Sequence, residues 1–352
     1  MTSLSSVERI DYVNIGLLFI SCILAFVMPF ELFLFAYGVL GPLHYLTEIS
    51  WLHDKNYYST DRRDVVLLVI ISLFLTVITL KDYFHVSEFV DNIIYGLSGL
   101  ELEQERHQAL YKYTNRLIFI AFASSLFFAF IKNNKMKLVG IVVTVLLSFI
   151  SDRLLLFFSV FLPTLIHVFL FTWLFMFYGA LKNKSKPGLV SVALHALIPF
   201  ILFYSFPNQP FIAVTDYGKT AYKEFQTLNT IIINLLNDSR AGDGDIVQQI
   251  YHSGTGIAIM RFIAFAYTYH YLNWFSKTKV IRWHDIPKAR SLFIVALWIV
   301  SVVLYTIDYS LGFKWLFLLS FMHVMVEFPL NYISFVGIFR ELSGKGMKHS
   351  VN

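Results

Sequence analysis

About ten long apolar stretches, each followed by a short polar segment, decide what this chain can fold into. They run roughly 17 to 28 residues, and a helix rising ~1.5 Å per residue crosses a hydrocarbon core in about 20. Inside lipid every backbone N–H and C=O must be satisfied within the protein, which leaves helices or a closed barrel. No stretch shows the sustained two-residue alternation of a membrane barrel. The expected fold class is therefore all-α, a polytopic membrane helix bundle of about ten transmembrane helices, with residues 1–352 forming a single integral membrane domain.

The expected spans are Tyr12–Phe30, Glu31–Glu48, Asp64–Leu80, Arg116–Lys132, Lys137–Ser151, Arg153–Leu181, Pro187–Ser205, Thr255–Phe275, Arg290–Ser310 and Lys314–Ile338. Composition agrees: 57% of residues are hydrophobic and 14% charged, with a mean hydropathy of +0.63. A soluble domain carries roughly 25% charged residues, because its surface faces water. Tyr12–Phe30 does not read as a cleaved leader, since Arg9 is balanced by Glu8 and Asp11 and Glu31 leads straight into a second span. The single cysteine, Cys22, excludes an intrachain disulfide and a thiolate metal site.

The net charge of +5 follows topology rather than nucleic-acid binding. With ten spans, eighteen of the 28 Lys and Arg fall on one side, in Arg9, the short loops between spans and the C-terminal tail. Short loops that retain Lys and Arg are cytoplasmic, so both termini are expected there, in a multi-pass protein of a bacterial inner membrane. Two long non-cytoplasmic loops remain, residues 81–115 and 206–254. In the first, Ser98–Arg106 is expected to form a short surface helix. In the second, Ala221–Asn237 has an apolar face suited to the membrane interface. Ala241–Asp245 superficially suggests a calcium loop but lacks the remaining ligand spacing. There is no internal repeat, and nothing in the residues assigns an oligomeric state.

Five of the eleven histidines, His44, His167, His195, His270 and His323, lie within expected spans. Strongly polar side chains in hydrocarbon cost several kcal/mol by most estimates, so they face the bundle interior and often mark a site. Their depths put all five in the cytoplasmic half or near the midplane. Two belong to one pattern, His44-Tyr-Leu-Thr-Glu48 and His323-Val-Met-Val-Glu327. Residues four apart share a helix face, so each pair aims an imidazole and a carboxylate the same way. Such a pair supplies two metal ligands, or one ligand and the carboxylate that orients it. The structural alternative is a buried ion pair. His53, in Trp51-Leu-His53-Asp54, sits at the cytoplasmic interface. Pro42, Pro163, Pro199 and Pro329 stand near these residues, and a proline inside a helix bends it and frees a carbonyl.

In Tyr267–Phe275 the aromatics suit an interfacial belt, or they wall a cavity that His270 and Asn273 face. Arg261, near the outer end of the same span, needs an acid or a lipid headgroup; Asp152, Asp308 and Glu31 match it in depth. His44, His270 and His323, with Glu327 or Glu48, are the expected metal ligands, and His53 and His167 the reserve. Arg261, Asn273 and His195 are the expected substrate contacts.

Imidazole and carboxylate donors without thiolate suit iron, zinc or manganese, and oxygen chemistry on an apolar substrate favours iron. The expectation is a metal-dependent enzyme, an oxygenase or hydroxylase with a transition metal, acting on a lipid-like or other apolar small molecule. The second reading is a proton-coupled transporter using the same His/Glu pairs as a relay. The closely spaced histidine boxes of membrane desaturases and hydroxylases do not occur. Gly41-Pro-Leu-His44 and Tyr269-His270-Tyr271 resemble polytopic carotenoid-cleaving oxygenases over those few residues and no complete motif, which assigns no family.

Overall fold

A computed structural model describes residues 5–55, 62–99, 102–151, 155–204, 212–236, 245–278, 282 and 284–344. The described residues are helical with no strand. Seven helical segments are long and apolar enough to cross a membrane: Ser6–Val27, Pro29–Asp54, Gln104–Phe130, Phe157–Lys182, Lys186–Tyr204, Lys288–Ile307 and Tyr309–Leu342. Each overlaps an expected span, and Gln104–Phe130 starts twelve residues ahead of Arg116, within the stretch 81–115 expected as a loop. The other three expected spans also fall on helices, namely Arg62–Thr79, Asn134–Leu147 and Gly254–Ser276. The first begins with Arg62, Arg63 and Asp64, and the second is only 14 residues long. The chain is thus an all-helical protein with the make-up of a multi-pass membrane protein. Large apolar side chains such as Phe19, Ile23, Leu197, Phe200, Leu292 and Ile307 are exposed along these helices, as lipid-facing surfaces require.

Local sequence accounts for the helix boundaries. Ser5 and Glu8 form a capping box at the start of Ser6–Val27, each side chain bonded to the other's backbone N–H. Asn133, Thr215, Ser253 and Asp308 each cap the helix that follows with a side-chain oxygen. The Ser98–Arg106 stretch departs from expectation. Ser87–Ser98 ends there at Gly99, whose φ of 67° is left-handed, and a new helix, Glu103–Phe130, runs directly into the span. The expected stretch Ala221–Asn237, whose last residue lies outside the described residues, is also divided, into Asp216–Tyr222, a 3-10 turn Lys223–Phe225 and the helix Gln226–Leu236. Residues 241–244 of the calcium-like stretch, Asp152, and the basic residues Arg153, Arg240, Lys279, Lys345 and Lys348 lie outside the described residues.

Two segments among the described residues are π-helical. Ala36–Leu40 is a π turn immediately before Gly41-Pro42, and the Gly41 N–H reaches back to the Ala36 carbonyl. Pro42 has no N–H to donate, and nearby the Val39 carbonyl accepts from the Trp298 indole at 2.8 Å. Phe157–Phe171 is π-helical throughout and contains Pro163. Such wide turns occur mostly as single bulges, frequently at functional sites.

The chain divides into two compact units. One comprises Met1–Thr47, Val168–Trp315 and Asn331–Asn352; the other comprises Glu48–His167 and Leu316–Leu330. In the first, Gly254–Ser276 is the central element, packed against Ser6–Val27, Pro29–Phe35, Lys186–Tyr204, Gln226–Leu236 and Ile246–His252. Asn14 ties its far end through the Ser276 hydroxyl at 2.8 Å. An aromatic core of Phe30, Phe33, Tyr37, Tyr222, Phe225 and Tyr267 meets largely edge to face. In the second unit Glu103–Phe130 packs on Arg62–Thr79, Ser87–Ser98 and Asn134–Leu147. There Lys137 and Asp64 form a buried ion pair, and Phe122 packs edge-on against Phe321 and Phe328.

Candidate metal centre

The second unit builds one histidine group from two helices. His323 and Glu327 stand one turn apart on Tyr309–Leu342, and both are buried. Pro329, two residues on, cannot donate to the Met325 carbonyl, which loosens the helix just past the carboxylate. His167 comes from the π-helical Phe157–Phe171 and is also buried. Its Nε2 lies 3.1 Å from His323 Nε2, and its Nδ1 lies 3.1 Å from Glu327 Oε2. One donor atom from each of the three falls within 4.8 Å of the others, close enough to surround a single cation.

That geometry has a simple chemical reading. A ring nitrogen facing a carboxylate favours the tautomer that carries its proton there, which leaves the other nitrogen as a lone-pair donor. Two imidazole nitrogens held about 2.0–2.1 Å from one zinc-like ion sit roughly 3.0–3.4 Å apart, according to coordination number. The His167–His323 separation falls in that window. It equally suits an N–H···N hydrogen bond with one proton between the rings.

The first unit holds a second pair. His44, on Gly41–Lys55, and His270, on Gly254–Ser276, bring their Nε2 atoms to 3.0 Å. The other nitrogen of His270 lies 2.7 Å from the Thr172 hydroxyl, which fixes the ring and, when Nδ1 carries the proton, leaves Nε2 as the donor. The Thr172 contact had no signal in the sequence, since a threonine in an apolar helix is ordinary. Around His44 stand Tyr45, Tyr271 and Trp274, with the two tyrosine hydroxyls hydrogen-bonded at 2.8 Å. The Trp274 indole donates to Thr47, whose hydroxyl in turn donates to the Leu43 carbonyl.

The remaining expected residues distribute as follows. Glu48, four residues after His44 on the same helix, is buried. His53 is exposed and lies 3.3 Å from its neighbour Asp54, in none of the close donor groups. Asn273 is buried on Gly254–Ser276, and its Oδ1 makes no hydrogen bond among the described residues. The guanidinium of Arg261 is buried over the Phe26 ring, 4.1 Å from its centroid, a cation–π contact. Of the acids matched to it by depth, Asp308 caps Tyr309–Leu342 and Glu31 accepts from the Thr215 N–H.

His195 is fully buried on Lys186–Tyr204, stacked on Phe169 with centroids 4.4 Å apart and flanked by Phe265 and Tyr269. Among the described residues neither of its ring nitrogens has a hydrogen-bond partner. Buried polar atoms are nearly always satisfied, so an imidazole in an aromatic box is a ready contact for a ligand hydroxyl or carbonyl. Comparison with protein-family models, with curated proteins and with solved structures gives no match.

Proposed function

We propose that the chain is a membrane-embedded, metal-dependent enzyme, an iron oxygenase or hydroxylase acting on a lipid-like or other apolar small molecule. The observation that carries this reading is the approach of buried imidazole nitrogens to 3.0 and 3.1 Å, with Glu327 at the edge of one ring. His44, Glu48, His167, His270 and His323 are the candidate ligands, and Glu327 is the carboxylate that orients His167. Cys22 is in none of the close donor groups, and nitrogen and oxygen donors without sulfur suit iron, manganese or zinc.

Bound iron supplies the activation of dioxygen that side chains alone do not provide. The residues of the chain then bind and orient. Thr172 holds the His270 ring and Glu327 holds His167, which keeps the donor nitrogens aimed. Asn273 and His195 offer polar contacts to an otherwise apolar substrate, and Phe169, Phe265 and Tyr269 wall the latter. Arg261 is a further substrate contact, suited to an anionic group.

Wild-type protein purified without chelator is expected to carry at least about one equivalent of transition metal. Chelation should lower its thermal midpoint, and re-addition should restore it, because a ligand at 100 Kd contributes about 2.7 kcal/mol. Metal-free protein whose midpoint ignores added metal would sink this reading and favour the proton relay, which needs the same residues and no cation.

The finer topology belongs to the same proposal: ten spans, with Arg62–Thr79, Asn134–Leu147 and Gly254–Ser276 joining the seven apolar segments, in a bacterial inner membrane. Both termini and the basic loops are then cytoplasmic. A reporter active only in the cytoplasm should signal after Asn352 or within Lys182–Lys186 and stay silent within residues 206–254. Activity in that long loop would overturn the count of ten.

A further inference from the structure

We propose that the first unit carries a site for a phosphate-bearing anion between Asp216–Tyr222 and Ile246–His252, and that its place in the fold assigns the phosphate to an anionic phospholipid headgroup. The site uses none of the candidate metal ligands and stands or falls apart from them. Lys219 and Lys223, four residues apart, line a cavity of about 470 Å³, to which Ile246–His252 brings Gln248 and His252. Tyr251 lines it too and is buried; its hydroxyl accepts from the Gln226 amide at 3.0 Å and donates to the Lys219 carbonyl at 3.3 Å. Those bonds hold the walls together before any ligand arrives, which lowers the cost of binding. The lining contains no carboxylate. Asp216 is fully exposed and reaches Lys219 only at 4.0 Å, a contact worth little, and Glu224 accepts instead from the Ser310 hydroxyl. Two ammonium groups beside an amide and an imidazole N–H supply the donors that phosphate oxygens accept.

The attachments of this region give the source of the phosphate. Ile212 donates its N–H to the Val27 carbonyl and Thr215 donates to Glu31, each at 3.0 Å. Both bonds fall at the junction of Ser6–Val27 and Pro29–Asp54, two segments long and apolar enough to cross a membrane. The Glu224–Ser310 bond falls at the junction of Lys288–Ile307 and Tyr309–Leu342, two more. A chain that crosses a bilayer turns at headgroup level, so the cavity lies beside lipid phosphates. Tyr217, Leu235 and Leu236 are exposed on the same helices, as suits the membrane interface. Val247, also in the lining, offers a glycerol backbone an apolar contact that a free phosphate ion does not use.

The test titrates full-length protein in detergent with dioleoyl phosphatidylglycerol or with dioleoyl phosphatidylcholine, whose choline cation offsets its phosphate, and reads the first bound lipid by native mass spectrometry. The wild type should hold phosphatidylglycerol about 10- to 30-fold more tightly, the scale for two lysines at a charged membrane surface. Lys219→Gln combined with Lys223→Gln should abolish that preference. Lys182→Gln combined with Lys184→Gln should leave it unchanged, which separates a site from the general pull of basic residues on anionic lipid. In a second arm, millimolar inorganic phosphate should leave the wild-type thermal midpoint where it was. A rise that the Lys219/Lys223 double variant loses would keep the site and overturn its assignment to lipid. A preference that survives the double variant overturns the site, as does an absent preference together with no response to phosphate. Lys223 is exposed and Lys219 half-buried, so the double variant tests binding rather than folding.

Discussion

Glu327→Ala is expected to lower the unfolding free energy of the detergent-solubilised protein by about 1–3 kcal/mol, the range for leaving a buried polar group without its partner. The carboxylate is 1% exposed and lies 3.1 Å from His167, whose other nitrogen meets His323. Removing it takes away the group that faces His167 Nδ1 and leaves a cavity in the buried cluster. Against a total stability of roughly 5–15 kcal/mol, that loss is a substantial fraction. Glu327→Gln keeps the volume and an acceptor oxygen, so it should cost only about 0.5–1.5 kcal/mol, the net worth of a typical hydrogen bond. A bound cation widens the gap, because the alanine variant loses that linkage as well. Denaturant unfolding of the three proteins in one detergent gives the answer. An alanine variant as stable as the wild type would mean that the group is not held as described.

The second large effect is purely steric. Gly256→Ala should cost more than the ~1–3 kcal/mol of ordinary overpacking. A Cβ at Gly256 would overlap the carbonyl oxygens of Gln249 and Ile250, where Ile246–His252 meets the start of Gly254–Ser276. Those obstacles are backbone atoms, and the Gly256 N–H is already engaged by Ser253. No rotamer change relieves the overlap, so the two helices must separate. Gly16→Ala is the control: its added Cβ meets nothing within 4 Å, and a helical glycine replaced by alanine gains about 0.5–1 kcal/mol. Thermal midpoints should therefore move in opposite directions. An unchanged midpoint for Gly256→Ala would show that the junction has slack.

How much of this was legible in the sequence depends on which interaction is asked about. The shared face of His323 and Glu327 follows from the 3.6-residue period alone, and the structure has them one turn apart on one helix. The approach of His167 does not follow, because it depends on how two helices pack and because Phe157–Phe171 does not keep that period. Pro42 announced a local departure, although not the form it takes, a π turn over Ala36–Leu40, nor the Trp298 indole that donates to the Val39 carbonyl there. Ser98–Arg106 read as helix from its glutamates, yet the left-handed Gly99 outweighs them. Ala221–Asn237 was legible as apolar and helical, but not its break, where Tyr222 is buried and donates to Asn229 at 2.6 Å. Thr172 was not legible at all, since a hydroxyl that touches a histidine 98 residues away leaves no local trace.

The central helix carries a consequence for how such chains are searched. Nineteen of the 23 residues of Gly254–Ser276 are buried, so almost none of its surface has to satisfy a bilayer. Hydropathy records what a helix offers to lipid, and a helix walled by protein is released from that demand. It can then hold Arg261, His270, Asn273 and a run of tyrosines, and it does not rank among the seven apolar segments. Lys288–Ile307, with Leu292, Phe293 and Ile307 turned outward, ranks among them and buries only Ile294, Ser301 and Tyr305. Sorting segments by apolarity therefore sorts them by contact with the lipid tails, and it passes over a helix that carries Arg261, His270 and Asn273. The long helix that scores poorly is the one to mutate first.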